Sequence, residues 1–183
     1  MQTTNPEDIL QFWYKPENAT QWFSATSELD VEIRIRYLHV WKQALDGKLD
    51  NWKDNASGCL ALCIILDQFP LHIFRGSAKS YSSEAAAIDV AKHAIRQGFN
   101  KLIPDEQIAF LYMPLMHSEN KNDQELSVKL FESTGLKESI KFARHHRDLI
   151  QRFGRFPHRN KILGRESTLE ELSYLESKEA FTG

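Results

Sequence analysis

Between each glycine or proline and the next, apolar residues recur at steps of three and four, and that spacing constrains the fold more than any other feature. Leu29, Ile33, Tyr37, Val40, Trp41 and Ala44 form one such stripe, which begins near Ser27 and is closed by Gly47. Ile9, Phe12 and Trp13 form another behind Pro6-Glu7-Asp8, a first helical turn with Thr4 or Asn5 as its cap. Residues 58–67 are apolar all round, and their Leu, Ala and Cys content favours a buried helix that Pro70 is expected to break. A fourth helix starts at Ser82 or Ser83 and runs to Gly98; a fifth opens at Pro104-Asp105-Glu106 and is expected to be interrupted at Pro114. Residues 123–134 and 136–153 follow, closed by Gly135 and Gly154, and Ser167-Thr168-Leu169-Glu170 reads as a capping box for a last helix. No strand alternation interrupts this series. The expectation is one all-α domain over residues 1–183, with about eight helices.

Composition narrows the classes of function. The chain has 183 residues and a net charge of −2, with 42% apolar and 26% charged residues, which excludes a disordered tail and a fibre. The longest strongly apolar run, residues 59–66, falls short of the ~20 residues that a spanning helix needs, so no membrane span is expected. Met1 is followed by polar residues rather than a basic and then apolar stretch, which leads to a cytoplasmic expectation. Cys59 and Cys63 sit inside the apolar run and read as buried thiols in a reducing compartment. No Cys-x-x-Cys pair or His-Glu-x-x-His spacing is present, so neither a metal nor a cofactor is expected. Charge is uneven: residues 141–165 hold eight Lys or Arg against the single acid Asp148. The near-neutral total argues against nucleic acid as partner.

Three constellations carry candidate chemistry. In Asp67-Gln68-Phe69-Pro70, followed by Ile73-Phe74-Arg75-Gly76, an acid directly after eight apolar residues must be partly buried and needs a cation. Arg75 is the nearest in sequence, so Asp67 reads either as half of a structural clasp or as a carboxylate poised for chemistry. In Met113-Pro114-Leu115-Met116-His117-Ser118-Glu119, His117 and Glu119 flank a serine. They read as an acid–base pair, or else the stretch is a helix end where Ser118 or Glu119 caps the next segment. In Arg144-His145-His146-Arg147-Asp148 and Arg152-Phe153-Gly154-Arg155-Phe156-Pro157-His158-Arg159-Asn160, His146 falls on the apolar face, with His145 and Arg147 at its edges. Arg155, Arg159 and His158 suit bidentate anion binding, unless acids elsewhere in the chain pair with them. His39 and His93 are expected to face solvent.

Together these stretches resemble the bacterial domain-of-unknown-function 924 family. The resemblance rests on Asp67 to Gly76, Met113 to Glu119, His146 to Asn160, and Leu163-Gly164-Arg165-Glu166-Ser167-Thr168-Leu169-Glu170-Glu171. It implies antiparallel stacked helices of tetratricopeptide-like form, and it implies no activity. Leu71 and His72 depart from the family pattern, which has Arg and Asn there.

The functional expectation is a binding module. Asp67, Arg75, His117, Glu119, His146, Arg147, Arg155, His158, Arg159 and Asn160 would line a polar pocket for an anionic small molecule or an acidic peptide segment. The alternative is a hydrolase-type enzyme in which Asp67 or Glu119 works with His117 or His158, with or without a metal.

Overall fold

Asn5 starts the first helix: its side chain accepts the Asp8 N–H at 3.0 Å while the Asp8 carboxylate accepts the Asn5 N–H at 2.9 Å. Of the two caps expected there, Asn5 is the one used. The structure, a computed structural model, describes residues 4–23 and 27–181; the polar start at Met1, Gln2 and Thr3 lies outside them. The all-α expectation holds. The chain is 70% helical, with no strand among the described residues. Its elements gather into two units, Met1–Arg75 with Lys79–Pro114, and Gly76–Ala78 with Leu115–Gly183.

The first unit holds α1 (Pro6–Trp13), α2 (Pro16–Ala19), α3 (Ser27–Leu45), α4 (Ala56–Cys63), α5 (Phe69–Ile73), α6 (Glu84–Arg96) and the start of α7 (Ala109–His117). Its core contains the fully buried Ile9, Trp13, Ile33, Leu60, Ile65, Phe69 and Leu111. Burying each such side chain contributes about 1.5–3 kcal/mol. Tyr37 stacks on Phe69 with ring centroids 4.9 Å apart, and Trp13 meets Phe69 edge-on at 5.7 Å.

Pro70 does not break the chain as expected. Residues from Ala56 to Ile73 form one continuous helix with a π turn at Ile64–Gln68. The π turn bonds the Phe69 N–H to the Ile64 carbonyl, five residues back. Proline has no N–H to give the Leu66 carbonyl four residues back. That carbonyl instead accepts the Ser83 hydroxyl at 2.6 Å, and the same Ser83 oxygen accepts the Trp41 indole N–H at 3.0 Å. The proline is therefore accommodated by a serine from another helix. α7 likewise runs through Pro114 rather than stopping there. By length and composition the Ala56–Ile73 helix could cross a membrane, but 83% of it is buried inside the fold. Gly58 makes that packing possible, because a Cβ there would lie 2.0 Å from the Trp52 carbonyl oxygen. His93, expected in solvent, is half-buried and bonds the Lys53 carbonyl at 3.0 Å; His39 is exposed as expected.

The second unit holds α8 (Lys121–Glu132), α9 (Lys137–Phe153), a 3₁₀ turn at Pro157–Arg159 and α10 (Leu169–Leu175). α8 packs on α9, and Gly154 ends α9 in a left-handed conformation at φ 72° that favours glycine. Leu149, Ile150, Phe156 and Tyr174 form a core against which Phe153, Leu175 and Phe181 pack. The last capping box is shifted by one residue from the expected one. Thr168 accepts the Glu171 N–H at 3.2 Å, and Glu171 accepts the Thr168 N–H at 2.8 Å. Neither Ser118 nor Glu119 caps α8. Asn120 does so, while the Ser118 hydroxyl donates to Asp123 at 2.9 Å.

Candidate functional site

Of the ten candidate residues, Asp67 and Arg75 belong to the first unit and the other eight to the second. Within the first unit, the expected Asp67–Arg75 clasp is replaced by a different pairing. Arg75 forks onto Asp30, with its Nη2 2.8 Å from Oδ1, and the buried His72 places Nδ1 2.8 Å from the same oxygen. Burial raises the Asp30 carboxyl, but the Arg75 and His72 contacts overcome it, leaving it below the usual carboxylate range. Asp67 lies buried in the π turn, with the neighbouring Gln68 amide donating to it. A carboxylate on α3 reaches Arg75 because α3 packs against α5, a contact that sequence distance concealed.

In the second unit, five arginines of the basic segment are engaged by acids of the same unit. Arg155 grips Glu171 through Nε at 2.7 Å and Nη2 at 2.8 Å. Arg165 grips Glu119 at 2.7 and 2.9 Å. Arg144 meets Glu132, Arg152 meets Glu170, and Arg147 meets Asp148. The first four of these acids lie outside the basic stretch itself, so the local excess of positive charge is met by α8, α10 and Glu119. The Arg155 bidentate contact, helped by the Thr168 N–H and Asn160, holds the Glu171 carboxyl at about 2. Burial pushes Glu119 up, but Arg165 and the Phe156 N–H, 2.8 Å away, bring it below the usual range. Asn160 ties these pairs together. Its amide donates to Ser167 and Glu171, and its carbonyl oxygen accepts the Arg165 Nε–H at 3.0 Å. Arg159 is buried, donates to the His117 carbonyl at 3.0 Å and lies 4.6 Å over the Phe156 ring.

Beside this ionic network sits a patch of a different character, made of imidazole and phenyl rings. His146 faces inward from α9 as its place on the apolar stripe predicts, and its Nδ1 lies 2.8 Å from the Phe142 carbonyl. That contact requires a proton on Nδ1, which leaves Nε2 as the acceptor in the neutral ring. Burial, then His117, lowers His146 to about 3. Burial, then Arg159, lowers His158 to about 4, and its Nδ1 is buried without a hydrogen-bond partner. The Phe181 ring stands edge-on to His146, His158 and His145, with centroids 4.7, 5.1 and 6.0 Å away. Phe156 closes on His146 at 5.3 Å, and the His117 ring lies 6.3 Å from that of His146. Among the described residues, no three His, Cys, Asp or Glu side chains are arranged to hold a metal ion.

The profile of a bacterial protein family of unknown function, DUF924, matches residues 9–179. The chain belongs to the DUF924 family. A solved structure of a protein of unknown function from Agrobacterium tumefaciens is similar to it at 38% identity with a TM-score of 0.88, over 93% of this chain and 96% of that one. No curated protein matches. In this DUF924 chain, sequence reasoning found His117, His146 and His158 but missed Phe181, Tyr174 and Glu171. Phe181 follows a polar stretch and carries no periodic signal. Glu171 differs from Glu170 only in its burial, at 2% exposure.

Proposed function

We propose that this DUF924 chain is a non-covalent binding module whose ligand site is the ring patch of the second unit, and that the group it accepts is a neutral aromatic ring. The observation that carries the reading is the arrangement of three imidazoles around the Phe181 phenyl. Edge-to-face aromatic contacts of this length contribute about 0.5–1.5 kcal/mol each beyond simple burial. Burial keeps His146 and His158, the two imidazoles nearest the Phe181 ring, neutral at neutral pH. An anionic partner has less support, because Arg155 and Arg165 already hold carboxylates of the fold. An acid–base role for Glu119 with His117 or His158 draws no support from a carboxylate whose two oxygens are both held by Arg165. The buried thiols Cys59 and Cys63 fit a reducing, cytoplasmic setting.

The test follows histidine ring proton resonances in the Phe181→Ala chain during titration with N-acetyl-phenylalaninamide and, separately, with inorganic phosphate. Saturable shifts of His145, His146 and His158 with the aromatic probe are expected, and none with phosphate. Shifts with phosphate alone would overturn the reading in favour of an anion site.

A further inference from the structure

Tyr174 gives the slot a second element. Its hydroxyl accepts the Phe181 N–H at 2.8 Å and donates to the Glu179 carbonyl at 3.3 Å. One phenol therefore brackets the main chain on both sides of Ala180, while the next side chain enters among the histidines. Main-chain contacts of this kind do not depend on the segment's side chains, and a single ring pocket beside them adds specificity. The segment closes on itself just upstream, where the Ser177 hydroxyl accepts the Glu179 N–H at 3.2 Å and the Ser177 carbonyl accepts the Ala180 N–H at 3.3 Å, so Phe181 leaves a turn. Tyr174 is itself buried on α10, whose start is fixed by Thr168 and whose Glu171 is gripped by Arg155, so the hydroxyl is presented by a rigid support.

Resting on the aromatic-slot reading above, we infer that the natural occupant is a peptide segment carrying one aromatic side chain just after a turn. The chain's own 176–181 tail is then a built-in competitor for the site. An outside segment must displace Phe181 and take over the Tyr174 hydroxyl before it can bind. A site filled by its own tail binds an outside ligand with an affinity reduced by the fraction of time it is open. If the tail fills the slot about nine-tenths of the time, the outside peptide binds about tenfold more weakly than to an emptied slot.

The probe is a synthetic peptide of residues 175–183, titrated into the wild-type chain and into Phe181→Ala and followed by calorimetry and by the same histidine resonances. The expected result is saturable binding to Phe181→Ala, binding to wild type weaker by about tenfold or more, and loss of binding when the peptide's phenylalanine is replaced by alanine. Tyr174→Phe combined with Phe181→Ala should weaken the peptide while leaving N-acetyl-phenylalaninamide unaffected. Should Phe181→Ala fail to fold, Phe181→Val, whose smaller side chain stays apolar yet leaves the ring position vacant, takes its place. Equal affinity for wild type and variant would overturn the competitor role. Binding of N-acetyl-phenylalaninamide without binding of the peptide would overturn the peptide inference and leave the aromatic slot standing. Binding of neither would overturn both.

Discussion

The two histidines with the lowest proton affinity make the protein's stability depend on pH in a calculable way. In the unfolded chain an imidazole titrates near its ordinary value of 6.5, whereas in the fold His146 is held at about 3 and His158 at about 4. Above 6.5 both states carry neutral rings and the contribution is fully present. As pH falls below 6.5 the unfolded chain takes up protons that the folded chain refuses, so stability is lost until the folded rings titrate as well. Each such group changes stability by about 1.4 kcal/mol per pH unit inside that window. Between pH 7 and pH 5 this comes to about 2 kcal/mol for His146 and about 1–2 kcal/mol for the less buried His158. Against a typical total of about 5–15 kcal/mol that is a large fraction. Glu171, held at about 2, and Glu119 and Asp30, held below their ordinary values, act in the opposite limb. Their contribution is present above the unfolded carboxylate value and is lost only as pH falls toward their folded values, largely below this window. His72, lowered by burial, adds to the histidine effect, so a variant must isolate the contribution. The assay is urea unfolding followed by far-UV circular dichroism at pH 7 and pH 5, for wild type and His146→Gln. Wild type should lose about 2 kcal/mol more than the variant between the two pH values, with unchanged m. Parallel losses in the two proteins would refute the claim that His146 is buried neutral.

Further predictions concern packing and paired groups. Gly58→Ala, which in an open helix would gain up to about 1 kcal/mol, should instead cost about 2 kcal/mol or more, because the new methyl collides with the Trp52 carbonyl; a raised melting temperature would contradict this. Ser83→Ala should cost about 2 kcal/mol by leaving the Leu66 carbonyl without its hydroxyl donor, and a urea midpoint indistinguishable from wild type would sink the account of Pro70. Glu171→Gln should lower the melting temperature at pH 7, since it removes the carboxylate that Arg155, Asn160 and the Thr168 N–H all bond; an unchanged midpoint would contradict this.

Helical periodicity, caps and glycine stops were legible because they depend on neighbours within a turn or two. The inward face of His146 was legible for the same reason. The excess of acids outside residues 141–165 already allowed those arginines to be paired, and Glu119, Glu132, Glu170 and Glu171 carry that out. The sequence was ambiguous where two residues met one rule equally well: Ser167 with Glu170 and Thr168 with Glu171 both satisfy the capping-box spacing, and only the burial of Glu171 and Tyr174 selects the second. It was silent where partners are distant. Asp30 reaches Arg75 across 45 positions, and Ser83 reaches Leu66 across 17. Pro70 and Pro114 were read as breaks because their missing N–H groups are local facts, whereas the rescue of the Leu66 carbonyl is a tertiary one.

The division into two units also partitions the reporters the chain offers. All four tryptophans (Trp13, Trp22, Trp41 and Trp52) and both cysteines lie in the first unit, while His117, His145, His146 and His158 lie in the second. The ring protons of these four histidines therefore report from the second unit, and indole fluorescence reports from the first. The thiols serve as a clock for the same half. Burial pushes Cys59 up to about 11 and Cys63 well above its ordinary value, so labelling reagents act on them only when that half opens. Comparing thiol-labelling rates with histidine proton signals would show directly whether the two halves open together or one at a time.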